Sequence, residues 1–322
     1  MSDAELDRGY DIIGDVHGCA HTLERLLEQM GYRRLNGVWQ HPRRQALFLG
    51  DIIDRGPRIR EALHLVRDMV EAGQARCIMG NHEFNAICWE TPAPPGSGRS
   101  YLREHTERHH RLIGDTLAQF DPWPQEWREF VQWFGDLPLF LDMGPFRLVH
   151  ACWDSSLIEP LRQDYPDGRI DDAFLIASAH SGSFPAQTFD RLLRGTDMRL
   201  PHGITMTGKD GFTRAFFRTK FWEESPETYG DVVFQPDALP EPVAEKPLTE
   251  QQKAELMIYQ PHDPLLFVGH YWQQGTPQPI RPNLACLDYS AVKYGKLVAY
   301  RWSGETRLER DHFVWVEVPQ MS

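Results

Sequence analysis

Six residues able to hold a divalent cation stand at the ends of apolar stretches in this 322-residue chain. The stretch "YDIIGDVHG" closes on Asp15 and His17. "QALFLGDIIDRG" closes on Asp51, with Asp54 and Arg55 just beyond, and "ARCIMGNHE" on Asn81 and His82, with Glu83 next. Farther on, "RLVHACW" delivers His150 and "LLFVGH" delivers His270. Asp, Asn and His give oxygen and imidazole donors without thiolate, a set that suits catalytic Mn, Fe or Zn better than a structural thiolate site. Six donors exceed the needs of one catalytic ion, whereas two ions sharing a bridging carboxylate use them all. Ion pairs about 3.5–4 Å apart clamp the attacking and leaving oxygens of phosphoryl transfer.

The elements that must position these residues alternate. "YDIIGD", "QALFLGD" and "ARCIMGN" are nearly all apolar, as strands covered on both faces are. Between them, "HTLERLLEQMG" places Leu23, Leu26, Leu27 and Met30 on one helical face, and "IREALHLVRDMVEAG" closes on Gly73. This pattern predicts βαβ units and a mostly parallel sheet, whose ligands gather outside the carboxyl ends of the strands. A Pro/Gly/Ser loop, "TPAPPGSGRS", then precedes a charged helical stretch from Tyr101 to Phe120 and a second helix in "PQEWREFVQWFGDLP". Strand character returns at "PFRLVHACW", "PLLFVGH", "LACLDYS", "KLVAYRW" and "FVWVEV". From 154 to about 260 the pattern is irregular and reads as an insertion, partly a lid.

"GDVHG", "GDIIDRG" and "GNHE", in this order and spacing, resemble the signature blocks of the calcineurin-like metallophosphoesterases, and most of all the phosphoprotein phosphatases with their bacterial relatives. The resemblance is dense from Tyr10 to about Glu83 and touches two later points, His150 and His270. It implies an α/β fold of two central mixed β-sheets flanked by helices in four layers, one catalytic domain over 1–322, with insertions at about 91–135 and 155–260. It further implies that Asp15 and His17 hold a first divalent transition-metal ion, that Asn81, His150 and His270 hold a second, and that Asp51 bridges both, with Mn ahead of Fe or Zn. His82 would be the general acid, oriented by Asp54; Arg55 would grip the phosphate with its planar fork, and a hydroxide between the ions would be the nucleophile. The implied activity is phosphoester hydrolysis, first on phosphoproteins or small phosphate monoesters, with "GNHE" leaning that way. The alternative is hydrolysis of nucleotides of the dinucleoside polyphosphate kind, such as diadenosine tetraphosphate. A non-catalytic binding protein on the same scaffold is the remaining rival, and the intact ligand set speaks against it. Two departures stand out. "HACWD" lacks the glycine pair that follows the late histidine in eukaryotic members, and the second phosphate-gripping arginine has only Arg194 and Arg214 as candidates.

Bulk properties narrow the rest. A formal net charge of -12 repels phosphate backbones and argues against nucleic-acid partners. Five scattered cysteines without a C-x-x-C pair point to reduced thiols in a cytoplasmic protein, and "MSDAELDRG" lacks the apolar core of a signal peptide. No apolar run approaches a membrane span. His105 and His109 have the spacing of helical zinc ligands but lack the accompanying catalytic pattern, so a solvated helix face is expected. Trp123, Trp127 and Trp133 are expected to be packing anchors. Lys209, Arg214, Arg218 and Lys220, interleaved with aromatics, are expected on a solvated strand or hairpin, with a substrate-facing edge as the lesser reading. Glu83 divides evenly between a first-turn helix acid and a support for the ligands.

Overall fold

In the computed structural model, which describes residues 8–207, 211, 213–234 and 238–318, two mixed sheets lie face to face. The first runs in the order Asp288–Tyr289, Lys296–Trp302, Gly9–Ile13, Arg44–Phe48, Ala75–Cys77, and Phe313–Glu317 pairs with the Lys296–Trp302 strand. The second runs Leu284–Cys286, Leu265–Val268, Phe146–Val149, Phe140–Asp142. The three N-terminal strands are parallel, as the alternation predicts. Lys296–Trp302 adds on antiparallel to Gly9–Ile13, which makes the sheet mixed rather than mostly parallel.

The two-residue period of the strands assigns each side chain to a layer. Tyr10, Ile12 and Leu47 meet Phe146, Leu148, Leu265 and Phe267 in the core between the sheets, where the Tyr10 and Phe146 rings are 5.6 Å apart. Ile13, Ala46 and Phe48 face the other way, into a larger core closed by helices. The helix Ile59–Glu71 presents Ile59, Ala62, Leu63, Val66 and Met69 to it, an apolar stripe at helical spacing. Because both faces of each strand are buried, the strands cannot slip by one residue without exchanging their two cores. That fixed register is what makes the strand ends a precise platform.

The charged stretch before Phe120 becomes helical only from Glu107 to Phe120, because Thr106 caps it by accepting from the His109 amide at 3.2 Å. His105 therefore precedes the helix, and its ring lies between those of Trp89 (3.7 Å) and Tyr101 (4.1 Å), not on a solvated helix face. The helix Pro124–Gly135 starts on its proline as expected and buries Trp127, Phe130 and Phe134. Trp133 is partly buried against the same core, while Trp123 is exposed, with the Arg60 guanidinium 4.2 Å above its ring. The stretch from 155 to 260 is more regular than its composition suggests. Helices Ser155–Asp164, Asp172–Ala177 and Phe184–Arg194 come first, and the last buries Phe189, Leu192 and Leu193 in the principal core. The pair Thr196–Arg199 and Phe216–Thr219 follows, over a small separate core of Leu200, Phe217, Tyr229, Val232 and Val243. Arg214 lies in the strand Thr213–Arg214 and Arg218 in Phe216–Thr219, whereas Lys209 is outside the described residues. Among the described residues, no helix is long and apolar enough to cross a membrane.

Candidate metal centre and active site

All six expected ligands meet at one rim of the two sheets. The backbone has to leave its strands abruptly there, and it does so in the left-handed region: φ is 43° at His17, 52° at Asp51, 69° at Asp54 and Arg55, and 61° at His270. Five non-glycine residues in that region cost free energy, on the order of 1–3 kcal/mol each when the surroundings enforce them, and such strain gathers at functional sites. Glycines flank the strained residues where loops nearly touch. A Cβ on Gly80 would lie 2.3 Å from the Asp51 amide nitrogen, and one on Gly269 would lie 2.0 Å from Asp15 Oδ1.

Each imidazole is held by one ring nitrogen and aims the other inward. His17 donates from Nδ1 to the Ile53 carbonyl at 2.8 Å, and His150 does the same to the Leu49 carbonyl at 2.7 Å. A histidine whose one nitrogen is tied to a carbonyl has its tautomer set and its other nitrogen free for a cation. Asp51 lies at the centre. Its Oδ2 is 3.3 Å from His150 Nε2, 3.7 Å from His17 Nε2 and 3.9 Å from His82 Nε2, and its Oδ1 accepts from the His82 amide at 2.9 Å. Asn81 Oδ1 lies 3.0 Å from His150 Nε2 and 2.9 Å from His270 Nδ1. Two groups of donors lie close enough together to share an ion, His17–Asp51–His82 and Asp15–Asp51–His150, and Asp51 is common to both.

Two observations test whether these residues fit cations. Asp15 Oδ1 and His270 Nε2 are buried and have no hydrogen-bond partner. Buried polar atoms are nearly always paired, so unpaired atoms on two of the expected ligands fit side chains whose partner is an ion rather than a protein group. The electrostatics agree. Burial raises the Asp15 carboxyl well above its usual range, helped by Asp288 and Asp51, because three carboxylates crowd together. Burial and the neighbouring His82 push the His17 imidazole down to about 3, so it stays neutral as a ligand must. Burial, Arg218 and His150 lower His270 likewise. His150 is the exception: burial disfavours its charge, but Asp51 and Asp15 outweigh that and push it up to about 10. That protonated state substitutes for a cation beside Asp51, whose own carboxyl is held well below its usual range by His150, His82 and His17 against the effect of burial.

Beside this cluster, His82 Nδ1 donates to Asp54 Oδ2 at 2.5 Å, and Thr116 donates to Asp54 Oδ1. The Asp54 amide in turn donates to the Thr116 hydroxyl at 3.1 Å. Arg55 is exposed and borders a surface groove of about 850 Å³ shared with Cys19, Gln119 and Tyr294. His105 and His109 join no donor group among the described residues.

Sequence reasoning missed or left open several residues. Glu83 is fully buried and accepts four amides: Asp51 and Ile52 at 2.8 Å, Gly80 at 2.9 Å and Ile53 at 3.4 Å. It is both a first-turn acid and the clamp that joins two ligand loops. Asp288 is a further buried carboxylate: after burial, its charge is what most raises Asp15, and its own carboxyl is raised by burial and Asp51. It opens the short strand Asp288–Tyr289, two residues beyond Leu284–Cys286, and so lacks the strand-end position that marks the expected ligands. Arg218 is half-buried in the paired strand Phe216–Thr219, as the strand or hairpin reading expects, and its charge adds to burial in lowering His270.

The family model of the calcineurin-like phosphoesterases matches residues 10–200. The chain belongs to the calcineurin-like phosphoesterase family. Among curated relatives, the bis(5'-nucleosyl)-tetraphosphatase PrpE [asymmetrical] of Oceanobacillus iheyensis is 51% identical over 73 residues, 22% of this chain and 29% of the relative. The PrpE of Anoxybacillus flavithermus is 42% identical over 150 residues, 44% of this chain and 56% of the relative. The chain thus spans less than two thirds of the length of these relatives. Among solved structures, a Saccharomyces cerevisiae protein serine/threonine phosphatase with similarity to human phosphatase PP5 aligns over 99% of this chain and 83% of its own, with a TM-score of 0.53 and 14% identity. That likeness extends the phosphoesterase fold beyond residue 200, over the strands that carry His270 and Asp288.

Proposed function

We propose that this calcineurin-like phosphoesterase is a metal-dependent phosphoester hydrolase. The observation that carries the reading is Asp51, a single carboxylate shared by two donor groups, with the His82–Asp54 pair beside it. Asp51 would hold both ions; the resemblance assigns Asp15 and His17 to one and Asn81, His150 and His270 to the other, whereas the donor distances group Asp15 with His150 and His17 with His82 around Asp51. Divalent ions held there supply Lewis acidity and a water whose pKa is lowered towards ~7. The chain's own groups do the rest. His82, fixed through Nδ1, has Nε2 facing the cluster and available to give a proton to the departing oxygen. Asp54 stabilises the charged imidazole that does so. Arg55, exposed beside Asp54, would meet a non-bridging phosphate oxygen with its fork. The buried strand ends keep these groups from rearranging between turnovers.

The substrate class favoured is the dinucleoside polyphosphates, ahead of the phosphoproteins and small monoesters that "GNHE" alone suggests. The support is the similarity to relatives named bis(5'-nucleosyl)-tetraphosphatases over the segment with the ligand blocks. A non-catalytic scaffold would not need a buried acid pair poised at the ligands. Protein supplied with Mn and offered a phosphopeptide, p-nitrophenyl phosphate and diadenosine tetraphosphate in parallel tests the reading. Hydrolysis with the highest kcat/KM for diadenosine tetraphosphate is expected. A preference for the phosphopeptide would overturn the substrate class, and inertness towards all three with each of Mn, Fe and Zn would overturn the activity.

A further inference from the structure

The helix Asn81–Glu90 begins with a metal-ligand candidate and the proposed acid, and one turn later it presents Asn85 to a separate, basic cavity. Asn85 Oδ1 accepts from Arg103 Nη1 at 3.0 Å and from Arg194 Nη2 at 2.9 Å. The cavity, about 260 Å³, is lined by these residues with Arg99, His109 and Phe84, and by two carboxylates, Glu104 and Asp190, so three guanidiniums face two acids. Arg194 also lies over the Phe84 ring at 5.4 Å.

Two guanidiniums on one neutral amide oxygen are an unusual pairing. Arg194 has a carboxylate as well, Asp190 at 2.5 Å, but that residue is on the surface and an exposed pair of this kind contributes little. Among the described residues no carboxylate makes an ion pair with Arg103, and Arg99 donates to backbone carbonyls of Ala179 and Leu102. Burial and the neighbouring Arg194 depress Arg103 to about 10, whereas Asp54 favours its charge, so Arg103 is within electrostatic reach of the His82–Asp54 pair. A half-buried guanidinium held beside a second one is stabilised by an anion that takes both forks. Asn81 and Asn85 are four residues apart on one helix and so lie on the same face, separated by a rise of roughly 6 Å. A rise of that size is within the span of a short polyphosphate chain with one group at the metal cluster.

We propose that Arg103 and Arg194, joined by Asn85, bind a phosphate of the substrate other than the one being hydrolysed, making the chain selective for substrates with a polyphosphate chain. This subsite deepens the proposed function and rests on its assignment of the hydrolytic centre. Asn85 is the positioning residue: it holds the two arginines with their forks turned to one point. Selectivity arises because a polyphosphate brings a second anion to Arg103, which has no carboxylate partner among the described residues, and to Arg194, whose carboxylate partner is the exposed Asp190.

The test uses Mn-loaded protein and two probes that cannot be cleaved at phosphorus, methylphosphonate and methylenediphosphonate, with affinities measured by calorimetry. The intact protein is expected to bind the diphosphonate at least about tenfold more tightly than the monophosphonate. Arg103→Gln is expected to cut that ratio about tenfold by weakening the diphosphonate alone, and Arg103→Lys to restore part of it. Asn85→Ala, which keeps both charges, should give a smaller loss and supplies the answer if Arg103→Gln fails to fold. A ratio unchanged in both variants, or equal weakening of both probes, overturns the subsite. If the protein hydrolyses no phosphate ester yet the ratio depends on Arg103, the proposed activity falls and the subsite stands. If it hydrolyses esters while the ratio ignores Arg103, the reverse holds.

Discussion

His82 Nδ1 and Asp54 Oδ2 lie 2.5 Å apart, and Thr116 occupies the carboxylate's other oxygen. The pair is buried, so Asp54 can neither rotate away nor exchange His82 for water. This geometry suits a group that must be protonated when the leaving oxygen departs. His82→Ala is expected to lower kcat by ~10²–10⁴, the usual worth of a positioned acid. Asp54→Asn should give a smaller fall, because the imidazole stays but loses the charge that stabilises it. Both losses should shrink for p-nitrophenyl phosphate, whose leaving group needs little protonation. Equal losses for good and poor leaving groups, in steady-state kinetics, would remove His82 from the acid role.

Asp51 joins the two donor groups, so its charge should matter to both ions. Elemental analysis after Mn loading and gel filtration should find two ions per chain in the intact protein. Asp51→Asn should bring that below one, whereas His17→Asn and His270→Asn should each leave about one. A single ion at saturation in the intact protein would rule out the shared site.

Arg55 should act on substrate rather than on the ions. Its side chain is exposed, and its backbone is in the left-handed region beside Asp54, which sets it at the rim. Arg55→Ala is expected to raise KM and to lower kcat by about tenfold or more, since the charge it meets grows in the transition state. Arg55→Lys should recover only part, because a point charge cannot make the bidentate contact. Metal content should be unaltered in both. Kinetics unchanged by Arg55→Ala would place this guanidinium outside the site.

The proposed ligands were legible in the sequence because each follows an apolar strand, all but His150 in a short motif with glycine, and strand ends in an α/β sheet converge whatever lies between them. Asp15 and His17 needed no knowledge of the loop's φ angles to be found. What escaped notice acts through partners remote in sequence. Thr116 is 62 residues from Asp54, in the middle of a charged helix with nothing in its neighbours to mark it. Arg103 and Arg194 meet at Asn85 only after the chain from one to the other has folded into five helices and two strands. Glu83 could be read only halfway, because a first-turn acid usually satisfies its own helix. Here the side chain also reaches across to the loop after Arg44–Phe48. The stretch from 155 to 260 looked irregular because its helices are short and bury few residues each.

Glu83 is therefore expected to be a stability residue whose loss also loosens the metal cluster. It is fully buried and holds four amides from two loops. Glu83→Ala orphans all four, each at about 1–3 kcal/mol, against a total domain stability of about 5–15 kcal/mol. Glu83→Gln should be milder, losing on the order of 1–3 kcal/mol, since its amide must turn a donor towards donors. Urea denaturation of the Gln variant should show a lower midpoint with an unchanged slope, and its Mn affinity should fall. A midpoint equal to that of the intact protein would mean that the loops are held by other contacts.

Removal of the ions by a chelator should leave a pH signature. Burial and His82 place the His17 imidazole at about 3, below its unfolded value near 6.5. The unfolded chain then binds the extra proton between those two values, so stability falls as pH drops from about 6.5 to about 3. His150 works in the other direction. Burial opposes its charge, but Asp51 and Asp15 raise it to about 10, so its contribution is full below about 6.5 and is lost as pH rises towards 10. The lowered Asp51 carboxyl is the other half of that interaction and weakens only in acid, as pH falls through the ordinary carboxylate range. Together they predict a stability maximum between about pH 6 and 7, with losses on the order of a few kcal/mol on each side. His17→Asn should make the acid limb shallower without removing it, because His270 is lowered as well, and His150→Asn should flatten the alkaline one. Saturating Mn should flatten the alkaline limb of the intact protein, because a ligating His150 is neutral at every pH where the ion is held. Midpoints of urea denaturation from pH 4 to 10, with chelator and with Mn, measure all three. An alkaline limb that persists in His150→Asn would show that another group carries it.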